Sequence, residues 1–277
     1  MGTRFELVLH GLRRLDRRAL VAAGEAALEV IHETEARWSL FLPSSRLAKL
    51  NKTGHLQPLL LAGEDVALFE TIDRVHRDSH GAFDPNVAHA MARAGHFASA
   101  SRTAQLGPEQ TSATDEPRWL FDATRRTVHF TGPGPSLDLG GVAKGHALDL
   151  AALELEDLGV TSALLHGGTS SVRTLGAPPD QSGWRLAIGQ NTIELAGESL
   201  ASSKAAAQTA SGQSHIRIPG RQAAPADQEA TVRAPTAALA DAWATALVAR
   251  PSLAIEAAAA LAASHVHILH SSLPAPA

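Results

Sequence analysis

The first segment whose residues could do chemistry is 137–145, where an acidic residue is followed by two glycines and a lysine. Asp138 lies between two leucines, Gly140 and Gly141 follow, and Lys144 falls in the first turn of a predicted helix. Glycines let a phosphate group approach the backbone, free amides at a helix N-terminus attract an anion, and a lysine adds positive charge. The segment therefore predicts a pyrophosphate site. An ordinary tight turn would use the same glycines, but a buried Asp138 would then need a partner.

Two familiar nucleotide-binding fingerprints do not fit this segment. The dinucleotide fingerprint needs three glycines in G-x-G-x-x-G spacing, and the P-loop needs G-x-x-x-x-G-K followed by Ser or Thr. Here the two glycines are adjacent and the lysine comes three residues after the second. Any nucleotide site at this segment must therefore be of another type.

Asp241 and Thr245 form a second candidate pair. They are four residues apart in a predicted helix, so their side chains share one face, and the residues between them are small or apolar. Oxygen ligands in such a setting suit magnesium, which accepts few protein ligands and completes its shell with phosphates and water. The alternative is a helix with an aspartate near its start and a threonine bonded to the preceding turn.

Composition and charge exclude several classes of function. The 277 residues carry a net charge of −4, so the chain lacks the basic surface that nonspecific binding to nucleic acids or anionic membranes needs. Cysteine is absent, which excludes disulfides, thiolate nucleophiles, iron–sulfur clusters and thiolate zinc sites. With 44% hydrophobic residues, the chain can bury a sizeable core.

The sequence contains no visible leader or membrane span. Its first residues alternate polar and apolar without a basic start followed by an apolar run, and no apolar stretch is long enough to cross a bilayer. We therefore expect a cytoplasmic protein as the sequence is written. If this is a mature form from which a leader was removed, a periplasmic protein is expected.

Hydrophobic spacing predicts an α+β fold with a strand-rich second half. Turn residues separate the segments, and the polar stretch 99–116 is predicted to be a surface loop. The longer helices are predicted over 16–38, 62–79, 142–158, 237–249 and 252–263. The strands are predicted over 5–10, 119–121, 127–130, 162–165, 184–188, 193–195, 215–218, 230–232 and 266–269.

Taken together, these segments resemble the ApbE family, the FAD:protein FMN transferases. Five blocks match the family in the right order over nearly the whole length: 1–3, 39–51, 81–85, 137–145 and 240–247. The resemblance implies tandem duplicated α+β units related to the tunnelling fold, with FAD bound between the halves. The chain, 1–277, would be a single ApbE-like domain whose second half starts near residue 137.

The same resemblance implies a chemistry and its partners. Members of the family use magnesium to transfer FMN from FAD to a threonine of a target protein, and they release AMP. FAD, Mg²⁺ and an acceptor flavoprotein are therefore the expected partners, and no nucleic acid or transmembrane segment is expected. The enzyme would be a transferase that carries out protein flavinylation.

The matched positions also imply roles for single residues. Magnesium would take the backbone carbonyl of Gly141 together with Asp241 and Thr245. His215 would be the base that activates the threonine, because imidazole suits this task near neutral pH. The remaining matched positions are expected around the FAD: Met1, Phe41, Gly95, His96, Asp138, Lys144 and Ile216.

The block after His215 departs from the family pattern on the acceptor side. After its histidine the family runs Asp-Pro-x-Thr-Gly, whereas this chain has Ile218-Pro219-Gly220. The acidic residue and the threonine of the pattern are thus missing. Two alternatives therefore stand beside transfer: a Mg²⁺-dependent pyrophosphatase that splits FAD into FMN and AMP, and a FAD-binding protein that has lost the chemistry.

Overall fold

A six-stranded antiparallel sheet forms the centre of the molecule, and its strands lie side by side in the order β1 Phe5–Leu9, β5 Ala163–Gly167, β6 Ser171–Leu175, β9 Ser199–Lys204, β10 Glu229–Ala234 and β11 His267–Ser271. The computed structural model describes residues 3–11, 15–97, 105–108, 119–205, 216, 224 and 227–271. The first strand of the chain pairs with β5, so that Phe5 lies opposite Gly167.

Two helices on one face of this sheet carry the segments with predicted chemistry. Helix α5, Ala143–Asp157, starts just after the glycine pair, and helix α6, Ala237–Ala249, contains Asp241 and Thr245. The two helices contact each other, α5 also packs on β5 and β6, and α6 packs on β9 and β10. Nearly every residue of α6 is buried, as expected of a helix that is apolar on all sides.

The other helices surround this pair. Helix α1, Arg17–Trp38, packs on α5, and helix α3, Gly63–Asp78, packs on α6. Asp16 accepts a hydrogen bond from the Ala19 amide at the start of α1, as its position before an apolar helix predicts. Shorter helices are α2 Arg46–Thr53, α4 Ala88–Arg93, α7 Leu253–Glu256 and α8 Ala258–Ala263.

Two smaller sheets complete the fold. The strands β2 Leu59–Leu60, β3 Trp119–Asp122 and β4 Thr127–Phe130 form a sheet with order β2-β4-β3. The hairpin β7 Trp184–Ile188 and β8 Asn191–Leu195 packs on the large sheet through an apolar cluster that includes Leu186, Val172 and Leu200. The hairpin thus covers the sheet face opposite the helices.

The α+β class is confirmed, but some elements differ from the sequence prediction. The central strands β6 and β9 and helix α2 are not predicted by the hydrophobic pattern. The single predicted helix over 252–263 is two short helices that separate at Ala257. The predicted strand over 215–218 lies outside the described residues except for Ile216. The division into halves near residue 137 stays a prediction. No described helix has both the length and the apolar character of a membrane span.

The start of helix α6 is held by a carboxylate from helix α5. Asp149 accepts hydrogen bonds from the amides of Ala237, at 2.8 Å, and Ala238, at 2.9 Å. The Nε atom of Arg173 lies 3.7 Å from the same carboxylate. Burial raises the pKa of Asp149 to about 6, although the two amides, Arg173 and His146 act in the opposite direction.

This raised pKa predicts a pH-dependent stability. An aspartate in an unfolded chain titrates near pH 4, so between about pH 4 and 6 the folded protein holds a proton that the unfolded chain has lost. The contribution of Asp149 to the free energy of unfolding therefore falls as the pH rises through this window, and it is constant above it. Urea unfolding of the wild type and Asp149→Asn should give a stability difference that shifts against the wild type between pH 4 and 6. An equal difference at every pH would contradict the prediction.

Candidate functional site

A cavity of about 1340 Å³ lies where the glycine turn, helix α6, the large sheet and the β7–β8 hairpin meet. It brings together residues from segments that are far apart in the sequence. Six of the residues predicted around FAD and magnesium line this one cavity: Asp138, Gly141, Lys144, Ile216, Asp241 and Thr245.

The strand that leads into the glycine turn is fixed by a buried amide side chain. Asn51 accepts a hydrogen bond from the Leu137 amide at 2.8 Å and donates one to the Leu137 carbonyl at 3.0 Å. The next amide, that of Asp138, donates to the Pro85 carbonyl at 2.8 Å. Residues of blocks 39–51 and 81–85 therefore hold the strand before the turn through hydrogen bonds to its backbone.

Replacing Asn51 with alanine is expected to lower the free energy of unfolding by about 2–4 kcal/mol, because two buried backbone groups lose their partner. Urea unfolding measures this loss. Asn191→Ala, at an exposed position of β8, is the matched control and should change stability by less than about 0.5 kcal/mol. Equal stabilities of the two variants would contradict the role given to Asn51.

Within the turn, Asp138 and Lys144 face the cavity. The carboxylate of Asp138 accepts a hydrogen bond from the Gly140 amide at 2.8 Å. Burial raises the pKa of Asp138, and the Gly140 amide and Lys144 oppose that rise. The Nζ atom of Lys144 lies 3.5 Å from the Gly140 carbonyl oxygen and 4.0 Å from the Asp241 carboxylate. This lysine thus places a positive charge between the turn and helix α6.

Asp241 is a buried carboxylate with a partner on each oxygen. Its Oδ2 accepts from the Gly145 amide at 2.8 Å, and its Oδ1 accepts from the Ser171 hydroxyl at 2.7 Å. Burial raises its pKa, an effect that Lys144 and these two donors oppose. These contacts hold the carboxylate in one orientation at the cavity wall.

Gly141 and Thr245 face each other across a narrow gap. A Cβ atom added at Gly141 would lie 3.1 Å from the Thr245 hydroxyl and 3.4 Å from the ring of Phe83. The Ser203 hydroxyl lies 3.4 Å from the same Thr245 hydroxyl. The space beside Thr245 is therefore open because position 141 carries no side chain.

The donor atoms here fit a magnesium ion of the kind that the resemblance implies. A carboxylate, a hydroxyl and the turn backbone offer only hard oxygen atoms. Within the described part of the chain, no three His, Asp or Glu side chains are grouped as a metal site made of protein alone would require. Magnesium needs no such group, since it commonly keeps waters and takes phosphate oxygens. The residues present therefore suit a metal that is bound together with a diphosphate.

The remaining cavity wall comes from strands whose role the sequence prediction missed. On the large sheet the hydroxyls of Ser202 and Thr231 lie 2.8 Å apart. Beside them Glu229 contacts the Nε2 atom of His270 at 2.7 Å and the Nζ atom of Lys204 at 3.4 Å. The opposite wall is the hairpin, with Leu186, Ile188 and Ile193 among its lining residues. The alternation of polar and apolar residues in β10 is a sequence signal that could have indicated part of this wall.

Three residues predicted around FAD are not part of the cavity lining. The exposed ring of Phe41 packs nearly perpendicular to Phe97, with centroids 5.9 Å apart. Gly95 has a φ of +78° just after α4, a value that glycine adopts readily, and the His96 amide bonds to the Met91 carbonyl. Met91 itself lines the cavity. The roles of Phe41, Gly95 and His96 stay predictions, and Met1 and His215 lie outside the described residues.

Comparison with known proteins gives relatives of one kind. The chain is 29% identical over 150 residues to the FAD:protein FMN transferase of Chlamydia muridarum. This alignment covers 52% of this chain and 46% of that protein. It is also 29% identical over 201 residues to the FAD:protein FMN transferase of Rhodobacter capsulatus. This alignment covers 68% of this chain and 35% of that protein. The chain thus spans less than half the length of these two curated relatives.

Solved structures share the fold. The flavin transferase ApbE from Vibrio cholerae superposes with a TM-score of 0.73 at 19% identity, covering 97% of this chain and 89% of that one. The ApbE protein of Thermotoga maritima gives a TM-score of 0.76 at 21% identity, covering 97% and 91%. The profile described as ApbE family matches residues 1–269. Since this match extends over nearly the whole chain, the protein belongs to the ApbE family.

Proposed function

We propose that this protein is a FAD:protein FMN transferase that uses Mg²⁺ to move FMN from FAD to a threonine of an acceptor protein. The observation that carries the proposal is the convergence of the turn residues Asp138 and Lys144 with the helix residues Asp241 and Thr245 on one cavity. A cavity of about 1340 Å³ is large enough for a dinucleotide. The names of the relatives support the same activity.

The reaction exchanges one phosphorus–oxygen bond for another. The threonine oxygen of the acceptor bonds to the phosphorus on the FMN side of the FAD diphosphate. The bond from that phosphorus to the bridging oxygen breaks, and AMP leaves with the bridging oxygen. The threonine proton passes to a base, for which His215 is the candidate.

The residues of the cavity would supply position and charge. Lys144 would place its ammonium group near the diphosphate, and Gly140 and Gly141, which carry no side chains, would let a phosphate oxygen approach the backbone of the turn. Asp241, Thr245 and the backbone of Gly141 would hold the magnesium ion. When bound, the ion neutralises charge on the diphosphate and on the departing AMP. Phosphoryl transfer needs little else from a protein than such placement.

Incubation with FAD, Mg²⁺ and a peptide from a flavinylated protein tests the proposal. We expect a fluorescent covalent flavin–peptide adduct and one AMP for each adduct. The matched control is the same peptide with its target threonine replaced by valine, which should form no adduct. If no plausible acceptor becomes flavinylated while FAD is bound, transfer is wrong.

Hydrolysis of FAD is the second candidate, and the altered block at Ile218-Pro219-Gly220 favours it. The same site would then direct water to the phosphorus, and the products would be free FMN and AMP. Chromatography of the nucleotides without an acceptor separates the possibilities. Free FMN that appears as fast as AMP supports hydrolysis, whereas bound FAD without AMP points to a flavin-binding protein without chemistry.

A further inference from the structure

The two halves of the proposed magnesium site lie on different helices. Gly141 precedes helix α5, whereas Asp241 and Thr245 belong to helix α6. The distance between the ligands is therefore set by how these two helices are held together. A shift of 1 Å along either axis would change the geometry, and magnesium tolerates little deviation from octahedral coordination.

One face of helix α5 fixes this distance at two points. At the first, the Gly145 amide donates to the Asp241 carboxylate at 2.8 Å. At the second, four residues later and so on the same face, Asp149 accepts from the amides of Ala237 and Ala238 at 2.8 and 2.9 Å. The two contacts hold α6 both at its start and one turn further on.

Asp149 supplies hydrogen-bond acceptors for the first amides of helix α6. The Thr236 hydroxyl accepts from the Leu239 amide at 3.3 Å, and the Thr236 carbonyl accepts from the Ala240 amide at 3.1 Å. The amides of Ala237 and Ala238 still need acceptors, and the Asp149 carboxylate accepts a hydrogen bond from each of them. A negative charge there also interacts favourably with the positive end of the helix dipole.

The carboxylate of Asp149 is in turn positioned from the sheet. Arg173 of β6 lies 3.7 Å from it and also donates to the Pro235 and Gly197 carbonyls, both at 2.9 Å. Asp149 itself does not line the cavity. Its effect on any ligand must therefore pass through helix α6.

We infer that Asp149 is a positioning residue for the metal site: by binding the first two amides of α6 it sets where Asp241 and Thr245 stand relative to Gly141. This inference rests on the proposed function, because the site it serves is the proposed magnesium site. It adds a residue of α5 to the machinery without placing that residue in contact with FAD or metal.

Mn²⁺ titration in the presence of FAD, with free Mn²⁺ followed by its electron paramagnetic resonance signal, tests the inference without using activity. Asp149→Ala is expected to weaken Mn²⁺ binding about 10-fold or more, the usual effect of losing an outer-shell partner. Asp149→Asn keeps one acceptor oxygen and should lie between alanine and wild type. Asp16→Ala removes a comparable cap from α1 and should leave the Mn²⁺ affinity unchanged.

Asp241→Asn in the same titration separates two kinds of failure. If Asp241→Asn abolishes Mn²⁺ binding while both Asp149 variants bind as wild type does, the inference is overturned and the site stands. If Asp241→Asn binds Mn²⁺ normally, the metal site and the inference are both wrong. Should the Asp149 variants fail to fold, Thr236→Ala, an exposed change at the same helix start, should weaken Mn²⁺ binding by a smaller factor. Wild-type affinity in Thr236→Ala would then overturn the inference.

Discussion

Replacing Asp241 with alanine is expected to weaken Mg²⁺ binding at least about 100-fold and to reduce Mg²⁺-dependent FAD turnover accordingly. Asp241 is the only carboxylate in the proposed donor set, and among the described residues no three His, Asp or Glu side chains form a group that could hold a metal. Its removal leaves a hydroxyl and a backbone carbonyl, which carry no charge to offset that of the ion. Mg²⁺ titration by calorimetry in the presence of FAD measures the first effect, and AMP release measures the second.

Loss of Asp241 also leaves the Gly145 amide and the Ser171 hydroxyl without their acceptor, which costs about 1–3 kcal/mol for each buried group. Asp241→Asn retains the shape of the side chain and separates loss of charge from loss of fold. Asp65→Asn is the matched control, because Asp65 is a buried carboxylate that accepts from Trp38 and lies outside the cavity. It should keep Mg²⁺-dependent turnover. Normal turnover in both Asp241 variants would show that the metal site lies elsewhere.

Gly145→Ala is expected to lower the free energy of unfolding by about 3 kcal/mol or more. An added Cβ would lie 2.2 Å from the Ala237 carbonyl oxygen and 2.5 Å from the Ala238 nitrogen. All its nearest neighbours are backbone atoms at the start of α6, so no side chain can turn away. The two helices must separate, and the hydrogen bonds of Asp149 and Asp241 lengthen with them.

Urea unfolding with circular dichroism measures this loss. Gly63→Ala is the matched control, because Gly63 lies in the first turn of α3 and an added Cβ there would meet nothing within 4 Å. Alanine at that position should be neutral or stabilise the protein by up to about 1 kcal/mol. If Gly145→Ala unfolds at the same urea concentration as Gly63→Ala, the close helix contact has no energetic importance.

The sequence predicts the four longest described helices well and part of the sheet poorly, for one physical reason. Helix α6 is found over its predicted range because Thr236 caps an apolar run, and both signals are local. Strands β6 and β9 contain Ser171, Arg173 and several further serines. Such residues hide the apolar alternation that indicates a strand. Their polarity has a use that only the fold shows, since the Ser171 hydroxyl bonds to Asp241 and Ser203 lies beside Thr245.

The same contrast holds for the site. The motifs indicate Asp138, Lys144 and Asp241 because each carries its chemistry in a recognisable local pattern. The roles of Asn51, which ends a matched block, and of Asp149 leave no local signal, because their partners are backbone amides and carbonyls far away along the chain. Support of this kind depends on tertiary distance, which no spacing in one sequence encodes. The break at Ala257 is hidden for a related reason, since a run of alanines is weakly apolar on all sides and has no distinct face to show where packing changes.

The pairing of β1 with β5 has a consequence for how the chain is made. Residues 5–9 leave the ribosome early, yet the strand they pair with, residues 163–167, is synthesised much later. Contacts between such distant segments close slowly, because a long loop must be ordered before they form. During synthesis β5 in turn presents an unpaired edge unless β1 reaches it, and such edges invite aggregation. The first strand therefore protects the growing sheet as well as completing it.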